Sequence, residues 1–255
     1  MTPALTEILF ALGVGSRVVG VTTYCDWPPE ARSLPKIGGY VNPSVEEILA
    51  LRPDLVLVSP AAGNKDGALA VRRAGVRVEV VEADSISSTY AAIERVGTLC
   101  GEDERGRLLA GVLRDLVGKA AARVRGLPRV RTLFCLELDP LIAAGPGTLP
   151  AEILELAGGV NIASGGRYPR LGIETVLAEA PQAIVEARMD VPAPRSAKDA
   201  GRFWRRWPSI PAVRDGRIHV IDATTALRPG PRIADAVERL AAVLHGLEPA
   251  GEARR

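Results

Sequence analysis

The sequence predicts an α/β protein of two lobes with mostly parallel sheets, joined by one long helix. Three observations carry this. Short runs rich in Val, Ile and Leu alternate with helical patterns along the whole chain. Such runs suit parallel strands buried on both faces, and strand–helix alternation is the mark of βαβ units. One uninterrupted helical pattern occupies residues 102–125, near mid-chain, and short motifs of the first half return in the second.

In chain order, ALTEILFALG (4–13) places apolar residues at i, i+3, i+4 spacing and ends on glycine, as a helix does. RVVGV (17–21) reads as a first strand. SVEEILALR (44–52) is a helix that stops before Pro53, and DLVLVS (54–59) is a strand. GALAVRRAG (67–75) and VRVEVVEA (76–83) repeat that helix–strand order. EDERGRLLAGVLRDLVGKAAARVR (102–125) follows, with Leu109, Val112, Leu113, Leu116, Val117, Ala120 and Val124 assigned to one face. Arg107, Arg114, Lys119 and Arg123 lie largely off that face. At about 1.5 Å per residue it would reach roughly 36 Å, enough for a rigid strut between lobes. Beyond it RTLFCLE (131–137), QAIVEA (182–187) and RIHVID (217–222) read as strands. AEILELAGG (151–159), IETVLAEA (173–180) and PRIADAVERLAAVLHG (231–246) read as helices. The expected division is 1–101 for the first lobe, 102–126 for the bridge and 127–255 for the second lobe. The last helix is free to pack back on the first.

The internal echo is specific. Glu7-Ile8-Leu9 leads to Gly13, and Glu152-Ile153-Leu154 leads to Gly158, at a constant offset of 145. Glu46 precedes Pro53 by seven residues, with the strand LVLVS after it; Glu174 precedes Pro181 by the same interval, with AIVEA after it. Two matches in one order point to a duplicated lobe, and ligand sites tend to lie between such lobes.

Composition narrows the chemistry. Hydrophobic residues make up 47% and charged ones 24%, which excludes a disordered chain. With 32 basic against 30 acidic residues, no basic field invites nucleic acid. No apolar run approaches a membrane span. Cys25, Cys100 and Cys135 form no CxxC pair, and His219 and His245 are too few for a histidine metal centre. GxSxG, GxxxxGK[ST] and a GxGxxG after a strand are all absent. Cys25, with no His near it, reads as an incidental thiol. Asp26, Asp54, Asp139 and Asp222 fall at strand edges or turns, and nothing selects a catalytic pair among them. A cleft enzyme of α/β fold therefore stays as a rival without a motif. Tyr24, Tyr40 and Tyr168 are three of only four tyrosines, and all fall in predicted loops. Arg228 and Arg232 flank a rigid Pro-Gly-Pro turn before the last helix.

TPALTEILFALG, VVGVTTYCDWPPEA, IGGYVNPSVEEILALRPDLVLVS, AGPGTLPAEILELAGGVNIA and RPGPRIADAVERLA, from about residue 2 to 246 in this order, resemble the helical-backbone class of ABC-transporter solute-binding proteins. The likeness is strongest to cobalamin-binding members, in TYCDWPPEA and in SVEEILALRPDLV. The resemblance implies two α/β lobes bridged by one helix and capture of cobalamin or a related corrinoid between them, with haem or an iron–siderophore complex as the alternative ligand. It implies no enzymatic activity and no resident cofactor. Pro3, Tyr24, Tyr40, Gly145, Tyr168, Arg228 and Arg232 match the family's ligand loops. Glu46 and Glu174 match the two carboxylates that dock on the membrane permease, the expected partner of a monomeric protein. A periplasmic or cell-surface location is implied, and with it an export signal and a first strand upstream of the residues given. The chain departs from the pattern in three places. Tyr40 stands where cobalamin binders carry tryptophan. TTALRPGP lacks the aromatic and acidic residues common there, and a cysteine pair of some relatives falls on Ala157 and Ala242.

Overall fold

The structure, a computed structural model, describes residues 2–60, 63–187 and 201–248. The chain divides into two compact units, residues 1–114 with 229–231, and residues 115–228 with 232–255.

In the first unit, helix α1 (Pro3–Ala11) starts where Thr2 accepts a hydrogen bond from Leu5 N–H at 3.5 Å. Proline suits the first helical position because its missing N–H would be unpaired there anyway. Helix α2 (Val45–Ala50) is capped by Ser44 and leads into strand β1 (Leu55–Val58). Helix α3 (Lys65–Arg73) then leads into β2 (Arg77–Val80), which pairs with β1 in parallel, Leu55 opposite Arg77 and Val58 opposite Val80. Ile37, Ile48, Val56, Val58, Val71 and Val78 form one core of this unit. Helix α4 (Ile86–Cys100) opens with a capping box between Ser85 and Ser88 and closes on left-handed Gly101.

Residues 17–21, expected as a strand, are not one. A 3₁₀ turn covers Gly15–Arg17, and the extended stretch that follows makes a single parallel bridge, Val21 to Lys36. Val21 N–H donates to the Pro35 carbonyl at 2.9 Å and Ile37 N–H to the Val21 carbonyl at 3.0 Å. Pro35 has no N–H to give to Val19, so the ladder cannot extend that way. On the other side the Ile37 carbonyl is taken by Ser44 N–H at 2.9 Å.

Helix α5 (Asp103–Ala122) is the predicted long helix, 20 residues in one piece, and the division between the units falls inside it. Its buried stripe differs from the expected face. Gly106, Ala110, Leu113, Val117 and Ala120 are buried, with Val124 just beyond, while Val112 and Leu116 are nearly half exposed. The reason lies in α4. A Cβ on Gly97 would sit 2.9 Å from Gly106 Cα, so the two helices cross backbone to backbone. That crossing selects the small-residue phase of α5 over the bulkier one.

In the second unit, β3 (Val130–Leu138) is the central strand. Along one edge it takes β4 (Leu141–Ala143), antiparallel, and β5 (Gly159–Asn161), parallel; β6 (Ala183–Glu186) lies on the other side and β7 (Ile218–Val220) outside it, both parallel. Helices α6 (Leu149–Leu156), α7 (Ile173–Glu179), α8 (Pro211–Arg214), α9 (Ala223–Ala226) and α10 (Ile233–His245) complete it. Trp204 is fully buried among Leu133, Ile184 and Ile210, and its indole N–H donates to the buried Glu186 carboxylate at 3.1 Å. The last helix, α10, packs on α6; the Ala157 carbonyl accepts from His245 Nε2 at 3.1 Å, and Glu238 of α10 pairs with Arg123 at 3.0 Å.

The sequence echo has a backbone counterpart. Glu46 and Glu174 are each the second residue of their helices. Each helix is followed by a non-glycine residue with positive φ, Arg52 at 47° two residues past α2 and Ala180 at 45° directly after α7, then Pro53 or Pro181, then β1 or β6.

Candidate functional site

In parallel α/β sheets, ligands gather where the strands end, because loops there converge and helix N-termini point the same way. In the first unit three such loops are tied together. The Thr2 hydroxyl lies 3.2 Å from Ser59 Oγ, just past the end of β1. Thr6 donates to Cys25 Sγ at 3.2 Å, and Thr22 Oγ1 lies at the same distance from that sulfur. Cys25 is thus buried in a hydroxyl pair that joins α1 to the 22–25 turn, a structural thiol rather than a displayed nucleophile. Thr23 binds the Gly38 carbonyl twice, through its N–H at 3.0 Å and its hydroxyl at 3.2 Å, which fastens the next loop.

Tyr24 and Tyr40 therefore come together, on loops tied to the helix that Pro3 opens. Pro3 opens α1, Tyr24 is 61% exposed on the 22–25 turn, and Tyr40 is exposed in the bend after Gly38. A Cβ on Gly39 would lie 4.0 Å from the Tyr24 ring, so the two tyrosines occupy one patch. Gly38 turns the chain at φ +85°, which only glycine adopts cheaply. The Pro229–Pro231 turn belongs to this unit too: a Cβ on Gly230 would stand 3.6 Å from the Glu7 carboxylate and 3.8 Å from the Ala4 carbonyl of α1.

In the second unit Gly145 and Tyr168 come together. Gly145 N–H donates to the Arg167 carbonyl at 2.7 Å, and a Cβ on Gly145 would collide with the Gly166 carbonyl and Pro169. Gly145 is buried, so its place is under the loop that carries Tyr168, which is itself 56% exposed. Arg228 is half-buried after α9. Arg232 caps α10 and donates to Thr225 Oγ1 at 3.1 Å and to the Thr224 carbonyl at 3.4 Å. Asp222 fixes those threonines, accepting from Thr224 N–H at 2.8 Å and from both hydroxyls. Asp222 is therefore a capping residue at the end of β7. A separate open cavity of about 450 Å³ beside β5, lined by Arg129, Glu155, Val160 and Asn161 among others, holds none of the aromatic candidates.

Glu46 and Glu174 are exposed at the second position of α2 and α7. A carboxylate is favoured there by unpaired helix N–H groups. Each helix runs back from the loop end of its sheet into a strand, so both carboxylates lie at the same end of their units as the loops that carry the candidate residues.

The sequence reading passed over Arg167 and Arg170. Both are exposed and they bracket Tyr168 within four residues. The signal, charge flanking a loop aromatic, is hidden in a chain with so many arginines. Among the described residues no cluster of His, Cys, Asp and Glu could hold a metal ion.

Comparison with known proteins places these features in context. The model of the family described as "Periplasmic binding protein" matches residues 1–225. The vitamin B12-binding protein of Vibrio cholerae serotype O1 is 30% identical over 248 residues, 96% of this chain and 87% of that protein. The crystal structure of the periplasmic vitamin B12-binding protein of Vibrio cholerae superposes with a TM-score of 0.82, covering 96% of this chain and 94% of that one. A periplasmic haem-binding protein from Roseiflexus sp. RS-1 in apo form superposes with a TM-score of 0.85 at 29% identity, covering 96% of both chains.

Proposed function

This chain belongs to the periplasmic binding protein family, and on that premise we propose that it is the solute-binding component of an ABC importer, which captures cobalamin or a related corrinoid outside the cytoplasm and delivers it to a membrane permease. The observation that carries this reading is the likeness to a vitamin B12-binding protein over 96% of the chain. The exposed aromatics at strand ends support it. A corrin is a large, flat, mostly apolar disc, and exposed loop tyrosines such as Tyr24, Tyr40 and Tyr168 offer ring faces of the kind that bind it. Arg228 and Arg232 add fixed polar groups, and Pro3 and Gly145 hold the loops in place. Glu46 and Glu174 are the docking carboxylates in this reading. No covalent step is needed: the work is capture, delivery and release, with ATP hydrolysed by another subunit.

Haem is the second reading, favoured by the likeness to a haem-binding structure at nearly the same identity. Tyr24, Tyr40 or Tyr168 would then be available as an axial oxygen ligand to the iron.

Visible-absorption titration of the purified protein with cyanocobalamin and haemin separates the two. Saturable binding of cyanocobalamin alone is expected; binding of haemin alone would replace the first reading with the second. In a reconstituted transporter, Glu46→Ala with Glu174→Ala should abolish uptake and leave the Kd for the ligand within about threefold of wild type. A loss of ligand affinity instead would move both residues into the pocket.

A further inference from the structure

The loop from β5 to α7 carries more charge than an apolar guest requires. It runs Ser164-Gly165-Gly166-Arg167-Tyr168-Pro169-Arg170. Its backbone is pinned along β4. Gly145 N–H donates to the Arg167 carbonyl at 2.7 Å, Ala143 N–H to the Pro169 carbonyl at 3.1 Å, and Leu171 N–H to the Leu141 carbonyl at 2.9 Å. Arg170 and Ile142 pair as an antiparallel bridge. Gly165 and Gly166, at φ +86° and +135°, absorb the reversal that brings the segment there. Three exposed side chains, Arg167, Tyr168 and Arg170, are therefore presented from a fixed track.

The two arginines differ in attachment. Arg167 reaches toward the neighbouring turn, its Nη1 3.7 Å from the place a Cβ on Gly147 would occupy. For Arg170, no hydrogen bond or ion pair of the guanidinium occurs among the described residues. A flat ring stacked on Tyr168 would have Arg170, two residues on and on the same side of the extended segment, beside its rim, and Arg167 at the neighbouring turn within reach of a group on that rim. A neutral amide on that rim gains little from them. A carboxylate or phosphodiester gains charge-assisted and bidentate hydrogen bonds, the strongest that arginine makes.

Resting on the reading of this chain as a binder of corrin or porphyrin complexes, we propose that Arg167 and Arg170 form an anion-reading pair that selects ligands with an anionic oxygen group on the rim next to Tyr168. In cobalamin that group is the phosphodiester of the nucleotide tail; in haem it is a propionate. Haemin dimethyl ester differs from haemin only in its esterified propionates and isolates the charge; cobinamide lacks the whole nucleotide, so in that pair the charge is read from whether the preference for cobalamin is lost in the arginine variant.

The test titrates wild type and the Arg167→Gln/Arg170→Gln double variant with cyanocobalamin, dicyanocobinamide, haemin and haemin dimethyl ester. Wild type should prefer the anionic member of one pair by about tenfold to a hundredfold. The double variant should lose that preference and keep near wild-type affinity for the neutral member, which also reports that it is folded. Equal wild-type affinity within each pair would overturn the proposal and leave the functional reading intact. So would a preference that survives in the variant, or a variant that loses the neutral member as well. A wild type that binds none of the four ligands would sink both.

Discussion

Individual residues in this protein divide by what surrounds them. Glu46 and Glu174 stand at exposed helix starts, while Glu7 and Glu186 are 3% and 2% exposed. A buried carboxylate must be hydrogen-bonded to be tolerated, and Glu186 is, by the Trp204 indole. That contrast separates displayed carboxylates from structural ones, which sequence alone does not. His219 is half-buried, with its Nε2 shut off from solvent, and has the opposite habit. Its Nε2 has no hydrogen-bond partner among the described residues, and burial pulls its pKa below the usual 6.5, with Arg217 adding to the effect. The folded state therefore disfavours the imidazolium, while the unfolded chain accepts the proton near pH 6.5. Between the two pKa values the unfolded state binds more protons, so stability rises with pH there. It is full above about pH 6.5 and falls as pH drops below it. We expect the wild-type urea midpoint to fall from pH 7 to pH 5 more than that of His219→Leu; equal slopes in the two proteins would remove His219 from the acid response.

At the scale of elements, the patterns visible in sequence were those with a bulky apolar period. β1, β3 and β6, and helices α1, α2, α6 and α10, lie where the Val, Ile and Leu runs place them. Three misses have separate physical causes. α4 buries Thr89, Ala92 and Gly97 beside its larger residues, so its hydrophobic period is diluted by small side chains. β4 and β5 are three residues each, too short to show alternation, and are fixed by pairing with β3. The stretch 202–207 shows no helix or strand period, so nothing in it marks Trp204, the largest fully buried side chain, as core. The candidate site fared similarly. Exposed tyrosines in loops could be found from composition, whereas the pinning of Arg167 and Arg170 along β4 depends on contacts distant in sequence. The matched helix ends of α2 and α7 make a further prediction. Arg52 and Ala180 hold left-handed φ before proline, a conformation that costs an L-residue about 1–2 kcal/mol. Glycine removes that cost but adds about 0.4–1 kcal/mol of unfolded-state entropy. Ala180→Gly and Arg52→Gly should each therefore stabilise by a few tenths to about 1 kcal/mol, read as a raised urea midpoint. A lowered midpoint would mean that these turns are relaxed as they stand.

For the whole molecule, the feature that matters is that one helix belongs to both units. Gly106, Ala110 and Leu113 of α5 are buried in the part assigned to the first unit, and Val117 and Ala120 in the part assigned to the second. A helix is cooperative along its length, because each turn is stabilised by the hydrogen bonds of the turn before it. The two units therefore share a continuous hydrogen-bonded element, and unfolding of one should be felt by the other. Breaking the ladder at the division tests this. Asp115 is exposed there, so its side chain is dispensable. Proline at 115 would remove its N–H and clash with the carbonyl of Gly111, at a cost of about 3 kcal/mol or more. Asp115→Ala should unfold by calorimetry in one transition like the wild type. Asp115→Pro should unfold in two, because each unit keeps its own core while the shared turn is lost. A single transition in Asp115→Pro, merely shifted to lower temperature, would mean that the units are coupled through contacts other than α5. A second transition already present in wild type would mean that the helix does not couple them at all.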